Sequence, residues 1–406
     1  MVTQSLIPYA LDSIVRSYPS SPFHGTSPEK TYAAEHVYIP REPKDEDQLR
    51  VARNELIAIL SDVSATPEFA EEYPVDSTMV KNLCVWLSVP EPSIQLCACL
   101  MLGNLARSDA ICKEMVHQIG LHELLVDILV KGDDLQLLHA TLGFLRNLAL
   151  RVENKGMIAA TDVLKPLSRI WSTDLRPQLQ YGAVRVVRQL ITGSLANIQR
   201  LLTPLAWDEI PNERSYLAQL LALFSRTDDI TLKFEISRII AAIWRCVRSP
   251  ASTQYFSDII EGILPRLHSM AADLAKALAA MVTQSRWLVV KSEGWFALAL
   301  IARSKEGSDA IVDLLREAEL SNALIEVIGS KETGINEAIS TEPDSAVSIT
   351  EAGTTELRPE QQKDMETKDR DNALVLVSEV LKNSVSSNPF LPEQLFRRFV
   401  ILSLHP

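Results

Sequence analysis

"CACLMLGNLARSDA" occupies residues 97–110 and "ATLGFLRNLALRVENK" occupies residues 140–155. Laid over one another with an offset of 43 residues, they bring Asn104 onto Asn147, Ala98 onto Thr141, Leu102 onto Leu145, Leu105 onto Leu148 and Ala106 onto Ala149. Spacings of four and three place the small and apolar members on one face of a helix. Asn104 and Asn147 lie off that face, each two residues after a Leu and directly before Leu-Ala. The pair raises the question that organises the rest of the chain: what needs the same amide twice in the same apolar setting?

Weaker copies continue the pattern. "QYGAVRVVRQLI" puts Gln189 at the Asn position, "FEISRIIAAIWRCV" puts Arg245 there, "SEGWFALALIAR" puts Leu300 there, and "NALVLVSEVL" puts Glu379 there. Between the copies run other apolar helical stretches, such as "GLHELLVDILVKG" and "VLKPLSRIWSTD". Each unit is therefore two or three helices in about 40 residues, the period of armadillo and HEAT arrays. The expected fold is all-α, an armadillo-type α-solenoid with a right-handed superhelix, in which each unit buries its apolar face only against its neighbours.

Composition agrees with helices. The chain has 406 residues, of which 47% are hydrophobic and only 6% aromatic, so Ala and Leu carry the apolar load. The expected organisation is a poorly ordered segment over residues 1–45, a repeat array over 46–330, a disordered acidic insert over 331–371 and a C-terminal helical unit over 372–406. The insert holds eleven acidic and five basic residues and no aromatic, so it carries half of the net charge of −12. Such a stretch cannot bury enough apolar area to offset the entropy of ordering it.

The same charge disfavours generic nucleic-acid binding, which needs a basic face. The five cysteines (Cys84, Cys97, Cys99, Cys112 and Cys246) sit mostly in apolar helical stretches and read as reduced core residues of a cytoplasmic protein. No Cys or His pairing has metal-ligand spacing, no run of apolar residues is long enough to span a membrane, and no targeting segment is visible, so neither metal nor cofactor nor membrane insertion is expected. No P-loop, nucleophile elbow or zinc-protease motif is present, and His117 and His122 are five residues apart. Bond-making catalysis is not expected.

"LGNLARSDAIC", "LRNLALRVENK" and "EGWFALALIA", in this order, resemble the armadillo array of the small-GTPase GDP-dissociation stimulators (the smg type). The resemblance covers roughly residues 76–330 and, weakly, 371–383. It implies a protein without an enzyme active site that binds small GTPases of the Rho, Rap and Ras type, GDP-bound or nucleotide-free and prenylated beside a polybasic tail. It further implies that the protein stimulates GDP release from them, or chaperones them.

The surface expected to carry that binding is the Asn ladder with its neighbours: Asn104, Arg107 and Asp109; Arg146, Asn147, Asn154 and Lys155; Arg185, Arg188 and Gln189; Arg238 and Arg245. Arginine bonds carboxylates in bidentate fashion, and an amide can fasten an extended backbone. The same amides could instead bond carbonyls of the adjacent repeat. Two alternatives remain open. One is an armadillo scaffold or adaptor without exchange activity. The other is an importin-like carrier of basic peptides, but such carriers stack Trp four residues before the Asn, where this chain has Leu100, Gly143, Arg185, Ala241 and Phe296.

Overall fold

The computed structural model describes residues 6–18, 43–174, 176–205, 214–329 and 359–384. Twenty-one helices account for nearly all of them, and the only pairing of strand type among the described residues is an isolated bridge between Pro204 and Ser215. The helices fall into two compact units, residues 1–197 and 198–406.

In the first unit the recurring element is a short helix, a middle helix and a long helix. The set Asp109–His117, Leu121–Lys131 and Leu135–Leu148 is followed by Val152–Ala160, Leu164–Trp171 and Pro177–Ile191. The long helices stack in sequence: Pro43–Ser64 on Pro92–Leu105, that on Leu135–Leu148, and that on Pro177–Ile191. Local signals place their ends. Pro92 and Pro177 open their helices, where a missing N–H costs nothing. Asp134 caps the Leu137 N–H at 2.8 Å, and Gly120 and Gly193 take positive φ at 76° and 74° where the chain turns.

The aligned positions are the core. Ala98, Leu102, Leu145 and Leu148 are fully buried, and Thr141, the polar member, bonds the Leu137 carbonyl within its own helix. Cys97 and Cys99 are also buried, and burial pushes both thiols up to about 12, so they remain protonated. None of the five cysteines is in a disulfide. Trp86, Trp171, Trp244 and Trp295 are core residues, and Trp287 packs edge-on against Phe234. Trp207 lies outside the described residues.

The second unit follows the same plan. Ile230–Val247 packs on Ala271–Thr283 and Leu288–Ile301, and Leu288–Ile301 packs on Pro359–Ser384. Residues 330–358 fall between the second and third helices of the last set, Lys305–Leu315 and Ala318–Gly329 being the first two.

Two stretches read from sequence as loose are helical. Ile7–Arg16 forms a helix inside the N-terminal segment, burying Ile7, Leu11, Ile14 and Val15. The helix Pro359–Ser384 begins twelve residues before the expected end of the acidic insert at 371. Its first half is charged, but Asp369 is buried and Ala373, Leu376 and Val380 pack against the array, so tertiary burial overrides composition there. The rest of the N-terminal segment, residues 331–358 of the insert and the residues after 384 lie outside the described part of the chain.

Candidate functional site: the amide ladder and its arginines

The opening amides are spoken for by their neighbours. Asn104, at the end of Pro92–Leu105, donates through Nδ2 to the Ser61 carbonyl at 2.9 Å and to Ser64 Oγ at 3.0 Å on the preceding long helix. Its Oδ1 accepts from Arg107 at 2.9 Å, and Arg107 also reaches the Ala65 carbonyl at 3.3 Å. One repeat on, Asn147 Nδ2 donates to the Gly103 carbonyl at 3.0 Å and its Oδ1 accepts from Arg146 at 3.1 Å. The amide is needed twice because two successive long helices, Pro43–Ser64 and Pro92–Leu105, each present an open carbonyl near their last turn to the long helix stacked on them. Asn147→Ala is therefore expected to lower stability by about 1 kcal/mol, because the half-buried Gly103 carbonyl loses its donor. Urea unfolding of the full chain reads this, and an unchanged midpoint would show that the bond carries no weight.

Asn154 and Lys155 do not belong to an outward face, contrary to the sequence expectation. Asn154 is fully buried, and its Nδ2 donates to the carbonyls of Leu148 and Cys112, both at 3.0 Å. Lys155 is 4% exposed and its Nζ donates to the Thr192 carbonyl at 2.6 Å. A partner cannot reach either one in this packing. Sequence reading missed the residue that explains them. Asn197, 43 residues after Asn154, repeats its geometry with bonds to the carbonyls of Leu190 at 2.9 Å and Lys155 at 3.2 Å. Cys112 and Ser308 hold the corresponding place elsewhere, reaching Ala106 at 3.3 Å and Ala302 at 2.6 Å respectively. A second buried polar series thus ties four of the short helices to the end of the long helix before each of them. The equal offset of Asn154–Asn197 and Asn104–Asn147 is the sequence signal that would have found it.

The charged members divide. Asp109 accepts an ion pair from Arg151 of the next repeat. Arg238 is enclosed by Glu293, at 2.8 Å and 3.3 Å, and by the buried Glu235 at 3.5 Å, so it serves the array. Arg185, half-buried, lies 5.4 Å from the Tyr181 ring centre. Arg188 and Gln189 are half-buried near the end of Pro177–Ile191. Arg107, Asp109 and Arg245 are exposed, Arg245 lying 5.5 Å over the Phe296 ring. Of the twelve expected residues, these three are exposed and Asn104, Arg146, Asn147, Arg185, Arg188 and Gln189 are half-buried.

A groove of about 540 Å³ lies between Leu121–Lys131 and Val152–Ala160, lined by His122, Val126, Val130 and Met157 among others; none of the twelve expected residues lines it. Among the described residues no group of three or more His, Cys, Asp or Glu side chains could hold a metal ion, and no helix is long and apolar enough to cross a membrane.

No protein-family model matches the chain. A stretch of 227 residues, 55% of the chain, is 26% identical to the Rap1 GTPase-GDP dissociation stimulator 1-A of Xenopus laevis. The chain is similar to GTPase–GDP dissociation stimulators. A second relative, the GTPase-GDP dissociation stimulator vimar of Drosophila melanogaster, is 30% identical over 132 residues. The matches span only 33% and 20% of those relatives' lengths. Among solved structures, one from a study of the interaction between cadherin and beta-catenin superposes with a TM-score of 0.54 at 13% identity, covering 81% of this chain and 56% of that one. An engineered protein superposes at 0.50 and 18% identity, covering 74% of this chain and 98% of its own. These likenesses agree with the all-α solenoid expected from the 40-residue period.

Proposed function

We propose that the chain binds small GTPases of the Rho, Rap or Ras type and promotes release of their GDP. The observation that carries this reading is the 227-residue similarity to a protein named for that activity. The order of the repeat motifs agrees with it. The chemistry asks nothing of an acid, base or metal. A factor that binds the nucleotide-free GTPase more tightly than the GDP-loaded one weakens GDP by the same coupling energy. What it needs is a surface that fits the open state. Arg107, exposed in the clamped first unit, and, separately, Arg245, exposed in the second unit, are each suited to bonding an acidic segment of such a partner.

A scaffold role without exchange activity is the competing reading, since stacked helical repeats of this kind suit either. Capture of purified small GTPases, prenylated and unprenylated, GDP-loaded and stripped of nucleotide, on the immobilised full chain separates the two. Retention that favours stripped GTPase is the expected result. Failure to retain any member of the panel would leave the scaffold reading in place.

A further inference from the structure

Four of the long helices are followed by an arginine just past their last turn: Arg107, Arg151, Arg248 and Arg303. In the first unit these arginines have partners within the array. Arg107 bonds Asn104 and the Ala65 carbonyl, and Arg151 pairs with Asp109, two residues past Arg107. In the second unit the position two past Arg248 is Pro250, so Arg303 finds no carboxylate where Arg151 finds one. Arg248 instead feels Arg303 as a like charge. Burial first, and then that neighbouring charge, hold the Arg248 guanidinium below its ordinary value.

The surroundings of Arg248 are unusual for polar groups in a packed fold. Eight polar side-chain atoms among the described residues are shielded from solvent without a hydrogen-bond partner, and three of them meet here: Arg248 Nε, Trp244 Nε1 and His268 Nε2. Trp244 is fully buried, with the Arg248 guanidinium 5.7 Å from its ring centre and the His268 ring stacked on it at 6.3 Å. His268 Nδ1 lies 3.5 Å from Glu306 Oε2, at the start of Lys305–Leu315. Arg303, whose charge Arg248 feels, and Lys305, next to Glu306, are exposed. Buried polar groups left unpaired are costly and rare, and guanidiniums concentrated in a protein of net charge −12 are the reverse of its general character.

The geometry points to an oxyanion-binding site formed by Arg248, Arg303 and Trp244, which takes a phosphoryl or carboxylate group carried by a partner molecule. A planar guanidinium pair grips two oxygens of such a group, and a shielded indole N–H donates to it in a low-dielectric setting where charge-assisted bonds are strong. Glu306 is the internal group that an incoming anion would displace toward solvent, since half of its side chain is already exposed. This inference does not depend on the GTPase reading.

The test uses the full chain labelled at its tryptophan indole nitrogens, titrated with inorganic phosphate and, separately, with acetate, at ionic strength matched by sodium chloride. The Trp244 indole resonance, assigned through Trp244→Phe, is expected to shift in a saturable way that sodium chloride does not reproduce. Saturation by phosphate alone identifies a phosphoryl ligand, and saturation by acetate as well identifies the carboxylate source. Arg303→Ala should weaken the response about tenfold or more, the value of one charge-assisted hydrogen bond, while melting is unchanged because Arg303 is exposed. Arg303→Lys should recover part of the affinity. A linear response equal to that of sodium chloride, or full affinity in Arg303→Ala, would overturn the assignment.

Discussion

Asn154→Ala is expected to destabilise the protein by about 2–3 kcal/mol, several times the usual scale of a surface substitution. The side chain is fully buried and serves two carbonyls at once, Leu148 at the end of its own preceding helix and Cys112 one repeat earlier. Alanine leaves both acceptors without a donor in a place water does not reach, and each such loss costs about 1–3 kcal/mol. Part of this is offset, because Asn154 Oδ1 is itself shielded without a partner and its removal relieves that cost. The expected sum therefore stays below the simple total of two. Urea unfolding with an unchanged slope measures it, and a loss under about 0.5 kcal/mol would mean that the buried series is decorative. Asn197→Ala should behave alike, since its two bonds have the same form.

The second large effect is steric. A methyl group at Gly307 would overlap the Ile301 carbonyl oxygen and come within 2.8 Å of its carbon and 2.9 Å of Ile301 Cγ1. The obstacle is mostly backbone, held on both sides. Ser304 caps the Gly307 N–H at 3.2 Å, and Ser308 Oγ bonds the Ala302 carbonyl at 2.6 Å. Neither helix can yield without breaking those bonds, so Gly307→Ala should cost about 3 kcal/mol, the upper part of the range for overpacking. Gly143→Ala is the control. Nothing lies within 4 Å of the added carbon, and the helix gains up to about 1 kcal/mol from losing a glycine. Equal melting temperatures for the two variants would contradict the close approach at Gly307.

The fold was legible because its determinants are local and periodic. Leu102, Leu105, Leu145 and Leu148 announce the buried face by spacing alone, and Pro92, Pro177 and Asp134 announce helix starts. The direction in which a polar side chain is used was not legible. Asn104 and Asn147 were visible as a recurring pair, yet whether an amide bonds a partner or the previous repeat depends on how close the stacked helices come, which no single sequence specifies. Asn154 and Lys155 misled for the same reason, because charge and polarity at the start of a short helix suggest exposure, while the carbonyls of Leu148, Cys112 and Thr192 draw both side chains inward. The Pro359–Ser384 helix was hidden by its own composition. Its charged first half reads as disorder until Ala373, Leu376 and Val380 are seen packing on the array.

The central claim is that the nucleotide-free GTPase is the preferred partner, and the most direct measurement is the affinity of the full chain for one small GTPase in two states, GDP-loaded and stripped. Tighter binding to the stripped state by about 5- to 150-fold, with GDP affinity weakened by the same factor in the complex, is the expected result, since a coupling energy of about 1–3 kcal/mol acts equally in both directions. Equal affinity for the two states, with GDP release no faster in the complex than alone, would contradict it.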